Sequence, residues 1–233
     1  MIAEKSFIRF AAICAFMSAI TTLIVHLYFT APESFDERIL LFKNKQYLFR
    51  NWAVVFHCVF VIVSMYAVFL LRKNESPGWM GTGFIFFCVF AITEIVRMFT
   101  ALFYTNQLRQ KYYTTADETV RSLIRNSFDN IAFLNDVLFS IFIMAFWLGL
   151  AAYGTGLFKS SGFTRVLAVV FVIWAGFHSL AIINIFYPKE WIGKFMEIFS
   201  PVYQPLARVV IGVWLWKNIN SLNFNHAIKS NYS

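Results

Sequence analysis

Residues 51–71 read NWAVVFHCVFVIVSMYAVFLL, a run of 21 residues without Asp, Glu, Lys or Arg. A helix rises about 1.5 Å per residue, so a helical run of this length crosses the roughly 30 Å hydrocarbon core of a bilayer. Five further, mostly apolar runs of sufficient length lie at 7–29, 79–104, 128–156, 164–187 and 195–216. The sequence therefore predicts an all-α polytopic membrane bundle of six transmembrane helices.

The composition agrees with a membrane protein and argues against a soluble one. Of the 233 residues, 59% are apolar and 14% are charged, and the mean hydropathy is +0.63. Soluble domains are usually about 45–50% apolar and about 25% charged. The net charge is +8, but the Lys and Arg residues stand singly at the ends of apolar runs, where cations meet lipid head groups. We expect the lipid bilayer as a partner and no nucleic acid.

The connections between the runs indicate how the helices are arranged. Three connections are short and carry turn signals, namely Ser76–Gly78, Gly154–Gly162 and Tyr187–Trp191. Short connections place consecutive helices side by side and antiparallel, so we predict an up-down bundle. Residues 1–217 then form a single transmembrane domain, and residues 218–233 form a polar C-terminal tail.

Two connections are longer. Residues 30–50 mix charged residues with aliphatic and aromatic ones, which predicts an amphipathic segment at the membrane interface. Residues 105–127 contain Thr115–Glu118, a capping-box pattern. We expect the fourth transmembrane helix to begin near these residues and to stand above the membrane before it enters the bilayer.

An even number of helices places both chain termini on the same side of the membrane. With the amino terminus inside, the inner segments carry eight Lys and Arg residues and the outer segments ten, so a count alone does not decide the orientation. The inner cations lie in shorter connections with fewer acidic neighbours. On that basis we expect both termini to face the cytoplasm.

Polar side chains recur at one depth of the predicted bundle. An ionisable group inside a membrane helix costs about 2.5–3.5 kcal/mol, so each one requires an explanation. Counted from the side of the two long connections, several such groups lie roughly 9–15 Å below the interface. They come from five different helices and comprise His57, Glu94, Arg97, Asn135, Asp136, His178, Tyr203 and Gln204. We predict that they meet in a polar cavity inside the bundle.

Each member of this set also has a purely structural interpretation. Glu94 and Arg97 are three residues apart on one helix face, so they can pair with each other. Asp136, with Asn135 beside it, can accept a hydrogen bond from Arg97. The two histidines can be hydrogen-bonded packing residues. The set as a group therefore carries more information than any single member.

The sixth predicted helix contains two prolines on either side of Tyr203 and Gln204. Pro201 and Pro205 predict a kink, because proline cannot donate the helical hydrogen bond. The carbonyl groups freed in such a kink can line a cavity. Arg208 lies deep in the same run and is expected either to extend toward the interface or to pair.

Several local patterns together resemble a known group of proteins. They are Leu70–Lys73 after the second helix, Gly78–Gly81 at the start of the third, the acid and arginine within the third, Asn135–Asp136 in the fourth, the Gly/Tyr-rich stretch Gly149–Gly156, Lys159, and Gly212–Lys217 at the end. The chain resembles a family of small six-helix bacterial integral membrane proteins classified only as a domain of unknown function. This resemblance implies location in the bacterial inner membrane and implies no reaction.

Three functions remain open at this point. The first is a bundle with a polar cavity, open toward the long connections, that binds or moves a small amphiphile, lipid or ion. The second is a structural or regulatory subunit that acts through a membrane-protein partner. Either of these agrees better than an enzyme with the lack of a catalytic motif, and neither requires a cofactor.

The third function is an intramembrane metal-dependent lipid hydrolase. Its weak candidates for zinc ligands are His57, His178, Asp136 and Glu94, which are the correct residue types. No HExxH pair supports such a site, so all four ligands would have to converge from separate helices. A haem held between the two histidines is a variant of this hypothesis.

Overall fold

The computed structural model describes residues 4–29, 32 and 34–230, and for residues 220–230 it describes the backbone alone. In chain order its elements are α1 (Lys5–Leu27), α2 (Phe35–Ile39), a 3-10 turn (Leu40–Lys43), α3 (Lys45–Arg72), α4 (Pro77–Phe99), a π-helical turn (Thr100–Thr105), α5 (Asn106–Thr114), α6 (Glu118–Leu157), α7 (Gly162–Phe186) and α8 (Glu190–Ser230). Within these ranges there is no strand. Helices α1, α3, α4, α6, α7 and α8 are long and apolar enough to cross a membrane. The predicted all-α bundle of six spans is confirmed.

Local capping explains why several helices begin earlier than the apolar runs do. Asn44 caps α3 by accepting a hydrogen bond from the Tyr47 amide at 3.0 Å, so this helix starts six residues before the apolar run at 51. Pro77 occupies the first turn of α4, a position where its missing amide hydrogen is not needed. The polar tail predicted at 218–233 coincides with the end of α8 and with residues 231–233, which lie outside the described residues.

The start of α6 corrects one detail of the sequence interpretation. The helix begins at Glu118, within the predicted Thr115–Glu118 pattern. The cap is Asp117, whose carboxylate accepts from the Thr119 amide at 2.8 Å, so a Thr115 capping box is wrong. Glu118 pairs instead with Arg121 at 2.8 Å, because its side chain faces the next helical turn.

The six spans form a closed ring. Consecutive spans pack against one another in the order α1, α3, α4, α6, α7, α8, and α8 returns to pack along α1. The short connections after α3, α6 and α7 enforce the antiparallel neighbours that the sequence predicted. Because the first and last spans are in contact, the interior of the ring is enclosed on all sides by helices.

At the end of the ring that carries the connections after α3 and α6, the interior is solidly filled. Ile8, Leu157, Leu167, Trp214 and Leu215 are all at most 1% exposed. Small residues allow the helices to approach closely there. Gly83 of α4 faces the Tyr153 ring of α6 so closely that a Cβ atom would lie 2.2 Å from Cδ1 of that ring. The Tyr153 hydroxyl donates to the Met65 carbonyl at 2.9 Å and so ties α6 to α3 as well.

At the opposite end, the two long connections form a small helical cap. Ile39, Tyr112 and Ile124 are buried against one another where α2, α5 and the first turns of α6 meet. Arg125 donates to the Tyr112 hydroxyl through Nη2 at 2.6 Å. The predicted interfacial segment at 30–50 thus becomes α2, the 3-10 turn and the first two turns of α3, apart from residues 30, 31 and 33, which are not described.

The outer faces of the spans remain apolar. Ile85, Ile92, Phe133 and Leu206 are each more than half exposed, between 57% and 73%. A soluble monomer rarely exposes a continuous apolar surface of this size, whereas lipid tails solvate it. The structure is therefore that of an integral membrane protein.

The close packing of α4 against α6 predicts that adding a methyl group at Gly83 lowers the stability of the protein. Gly83→Ala forces the buried Tyr153 ring to move, and overpacking of this kind costs about 1–3 kcal/mol. Gly81 lies two residues earlier on the same helix with nothing within 4 Å of its Cβ position. Gly81→Ala should therefore be neutral or stabilising, by up to about 1 kcal/mol. Melting temperatures of the two variants in detergent test this, and a Gly83→Ala protein as stable as Gly81→Ala would contradict the packing.

Candidate functional site

A cavity of about 330 Å³ lies inside the ring and receives side chains from all six spans. Its lining combines ionisable and polar groups with many aromatic and aliphatic ones. The lining residues are Thr22, Val25, His26, Arg50, Val54, His57, Cys58, Phe90, Glu94, Arg97, Met98, Phe139, Phe142, Ile143, Phe146, His178, Ala181, Met196, Ser200, Gln204 and Arg208.

The cavity occupies the half of the bundle that faces the helical cap. Its residues come from the last turns of α1, α4 and α7, from the first half of the membrane-crossing part of α3, and from the first half to the middle of those of α6 and α8. Since alternate spans run in opposite directions, these segments share one level. Five of the eight residues predicted to share a depth line this cavity, namely His57, Glu94, Arg97, His178 and Gln204.

Glu94 and Arg97 form a bidentate ion pair in the wall of the cavity. The Arg97 guanidinium donates to both carboxylate oxygens, from Nε and from Nη2, each at 2.7 Å. Glu94 is 4% exposed, so without Arg97 its charge would have no solvent and no partner. The same guanidinium lies over the rings of Phe139 and Phe142, at 5.4 and 5.9 Å. The pair is thus held between α4 and the aromatic face of α6.

The two histidines are each held through Nδ1. The Nδ1 atom of His57 lies 2.9 Å from the Thr21 hydroxyl of α1. The Nδ1 atom of His178 lies 3.1 Å from the Trp174 carbonyl, and its ring packs 4.9 Å from that of Phe146. A carbonyl accepts only from a protonated nitrogen, so neutral His178 keeps Nε2 as an acceptor. Both rings lie on the cavity wall.

Arg208 is a major member of the site that the predicted set of site residues omits. It is 3% exposed and lines the cavity. Its guanidinium lies over the faces of Trp174 at 5.1 Å and Phe146 at 6.0 Å. The sequence contained a signal for this residue, because Ser200, Gln204 and Arg208 follow one another at intervals of four and therefore share one face of α8.

Arg50 and His26 mark the end of the cavity nearest the helical cap. Arg50 lies in the second turn of α3, and its Nε donates to the Val25 carbonyl of α1 at 3.2 Å. His26 is exposed and stands at the end of α1. The cavity therefore extends from the ends of the spans inward to Arg208 and Phe146.

The structure places Asn135 and Asp136 outside the cavity. The lining on α6 begins at Phe139, and Asp136 lies three residues closer to the cap, about 4.5 Å of helix rise. Asp136 is exposed and Asn135 is half-buried. Arg97 has its carboxylate partner on its own helix, and α6 offers it aromatic faces in place of Asp136. The prediction that this Asn-Asp pair joins the polar cavity is wrong.

Tyr203 is also directed away from the cavity. Its hydroxyl donates to the Val170 carbonyl of α7 at 2.9 Å, and its ring stacks on Phe199 at 5.2 Å. Tyr203 thus joins α8 to α7 beside the cavity. Helix α8 remains helical through Pro201 and Pro205, so the prolines do not interrupt it.

The four weak candidates for a metal site are not brought together. His57, His178 and Glu94 line the cavity, but Asp136 does not, and both oxygens of Glu94 are occupied by Arg97. In the part of the chain that the structure describes, no group of three or more His, Cys, Asp and Glu side chains could hold a metal ion. The geometry therefore gives the zinc-hydrolase hypothesis no ligand set.

Comparisons with known proteins yield no match to a family model, a curated protein or a solved structure. The resemblance to small six-helix bacterial membrane proteins stays a prediction.

The buried ion pair predicts that removing one charge costs more stability than removing both. Arg97→Met leaves the Glu94 carboxylate buried without a partner, and breaking a buried pair in this way costs about 3–5 kcal/mol. The double variant Arg97→Met/Glu94→Leu removes both charges and should lose much less stability. Melting temperatures in detergent measure both.

An exposed ion pair on α8 provides the control. Lys194 and Glu190 lie 2.6 Å apart with both side chains more than two-thirds exposed, so Lys194→Met should change stability by less than about 1 kcal/mol. Equal losses in the Arg97 single and double variants would show that Glu94 does not depend on Arg97.

Proposed function

We propose that this chain is a membrane protein that binds a small amphiphile in the cavity between its six spans. The observation that carries this proposal is the cavity of about 330 Å³ to which every span contributes. This volume lies at the lower end of the range for ligand sites, about 300–1,000 Å³. A ligand of that size is small compared with a two-chain phospholipid.

The distribution of side chains around the cavity supports an amphiphile over a purely polar or purely apolar ligand. Phe90, Phe139, Phe142 and Phe146 supply an apolar wall, and Arg50, Arg97, Arg208, Gln204 and Ser200 supply polar groups. Ligand sites typically combine a mainly apolar lining with a few placed polar groups. A molecule with a polar head and a short apolar body matches both parts.

The packing elsewhere in the ring also supports a binding role. In the half with the connections after α3 and α6, the same six helices fill their interior with residues such as Trp214 and Leu157, each 1% exposed. The bundle is therefore able to close its interior with large side chains. In the half facing the cap the interior is kept open, and ionisable groups that are costly in a membrane line it.

We further propose that the protein resides in a bacterial inner membrane with both termini in the cytoplasm. The uneven pairing of Lys and Arg with acids supports the orientation, and the family resemblance supports the location. The cavity would then lie in the outer half of the bilayer, below the helical cap.

A variant that fills the cavity tests the proposed function. Ala181 of α7 lines the cavity, and Ala181→Phe introduces a ring into the space that the amphiphile would occupy. We expect native mass spectrometry of the wild-type protein, purified in mild detergent, to detect a bound small amphiphile. The Ala181→Phe variant should retain less than about a tenth of that occupancy, which corresponds to about 1.4 kcal/mol or more of lost binding.

The matched control lies two residues further along the same helix. Ile183 is 47% exposed on the outer face, so Ile183→Phe adds the same ring without reaching the cavity and should bind as the wild type does. Equal occupancy in both variants, or no bound amphiphile in the wild type, would contradict the proposal. A stably associated second protein in place of a small molecule would favour a subunit role.

The proposed orientation is tested by labelling in intact cells. In a background with Cys14, Cys58 and Cys88 replaced by Ala, we expect Ala116→Cys in the cap to react with a membrane-impermeant maleimide. Ser161→Cys, between α6 and α7, should react only after permeabilisation, because the two positions lie at opposite ends of the bundle. The reverse pattern would place the termini outside.

A further inference from the structure

The charged groups of the cavity do not balance. Arg50, Arg97 and Arg208 line it, and Glu94 is the one carboxylate in its lining, so the net charge is +2 with the histidines neutral. Both oxygens of Glu94 are bound by Arg97. No acidic side chain of the lining is left for the other two arginines.

Arg208 is the more deeply buried of these two arginines. It is 3% exposed, and its Nε has no hydrogen-bond acceptor among the described residues. Within the same part of the chain its guanidinium forms no ion pair and contacts the faces of Trp174 and Phe146. An aromatic face attracts a cation more weakly than an anionic partner does. A guanidinium stays charged in proteins and presents five donors, so this site has donors for an anionic group.

The neighbouring unpartnered group is also a donor. Trp174 is 1% exposed, and its Nε1 has no acceptor among the described residues. Trp174 lines a small recess that adjoins the cavity at His178, Ser200 and Gln204. The buried Nε of Arg208 and Nε1 of Trp174 are both donors without a partner among the described residues, which favours an anionic group over a cation at this place.

Arg208 also lies at the inner end of one face of α8 whose residues change from apolar to polar to charged. Met196, Ser200, Gln204 and Arg208 recur every four residues and all line the cavity, so one helix face leads from an apolar residue near the cap to a cation deep in the bundle. Arg50 lies nearer the cap on α3, where its Nε is bound to the Val25 carbonyl. Of these two arginines, Arg208 is therefore the deeper one, and its Nε has no acceptor among the described residues.

We propose that the ligand of this cavity is an anionic single-chain amphiphile whose phosphate or carboxylate head group binds Arg208. This inference rests on the proposed function and specifies the class of its ligand. The apolar body of the ligand packs against the phenylalanines of α4 and α6, and Gln204 and Ser200 donate to the remaining head-group oxygens. A planar guanidinium suits both head groups, because it can bind two oxygens at once.

A series of ligands with one chain length tests this inference. Wild-type protein in phosphatidylcholine nanodiscs is titrated with dodecyl phosphate, laurate, dodecanol and dodecyltrimethylammonium, and binding is followed by thermal shift and calorimetry. We expect the two anions to bind at least tenfold more tightly than the alcohol and the cation. Inorganic phosphate should bind at least tenfold more weakly than dodecyl phosphate, since it lacks the chain.

Two variants locate the anion. Arg208→Met keeps a flexible, unbranched side chain and removes its charge, and it should weaken dodecyl phosphate binding at least tenfold while dodecanol binding stays within twofold. Arg208→Lys restores a point charge and should recover part of the affinity. Because the wild-type charge is buried without a protein partner, Arg208→Met should not lower the melting temperature of the ligand-free protein, whereas a merely structural arginine would.

The control removes the same charge elsewhere. Arg165 is exposed at the start of α7, at the opposite end of the bundle, so Arg165→Met should bind dodecyl phosphate as the wild type does.

The outcomes distinguish a failure of this inference from a failure of the proposed function. Equal binding of all four amphiphiles would leave the proposed function standing and overturn the anion preference, and so would unchanged dodecyl phosphate binding by Arg208→Met. If none of the four amphiphiles bound, both the anion preference and the proposed function would be overturned. Nanodiscs containing phosphatidylglycerol test the other source of an anionic head group. A tenfold loss of dodecyl phosphate affinity in them would show that a two-chain lipid occupies the site and would overturn the single-chain assignment.

Discussion

Charge inside a bilayer has no water around it, and this constraint organises the whole interior of the protein. A carboxylate or guanidinium at this depth must face a partner, an aromatic ring or an enclosed space. The closed ring of six spans meets this requirement, because α8 packs along α1 and shields the interior from lipid. Glu94 and Arg97 are satisfied by each other at 2.7 Å. Arg208 lies over the aromatic faces of Phe146 and Trp174, and its Nε has no acceptor among the described residues.

The same six helices form a filled core in one half of the ring and a cavity in the other. Toward the connections after α3 and α6, close approaches such as Gly83 against Tyr153 draw α4 and α6 together and leave a solid core. Toward the long connections, the corresponding faces carry Phe90 and Phe142, whose rings pack 4.9 Å apart and line an open space. The helical cap lies at this end, built from α2, α5 and the first turns of α6. The rigid half therefore fixes the helices that surround the cavity.

The chemistry of the cavity follows from this arrangement. Aromatic rings of α6 hold both Arg97 and Arg208 in place, since each guanidinium lies over Phe142 or Phe146. Aromatic faces position a cation without neutralising it, so the cavity keeps a positive character. That character, set beside an apolar wall, is the physical basis for an anionic amphiphile as ligand.

The sequence by itself determined the six spans, their antiparallel order and the depth of most polar groups, because run length and turn position are properties of a single helix. It also brought His57, Glu94, Arg97, His178 and Gln204 to one level. Only the tertiary structure decided which groups at or near that level face the cavity. Asp136 lies outside the lining, Tyr203 bonds to α7 and Arg208 lies inside. The depth of a residue depends on its position along one helix. The direction in which its side chain points depends on how that helix is rotated about its axis against its two neighbours. That rotation is set by packing between side chains that are far apart in the chain.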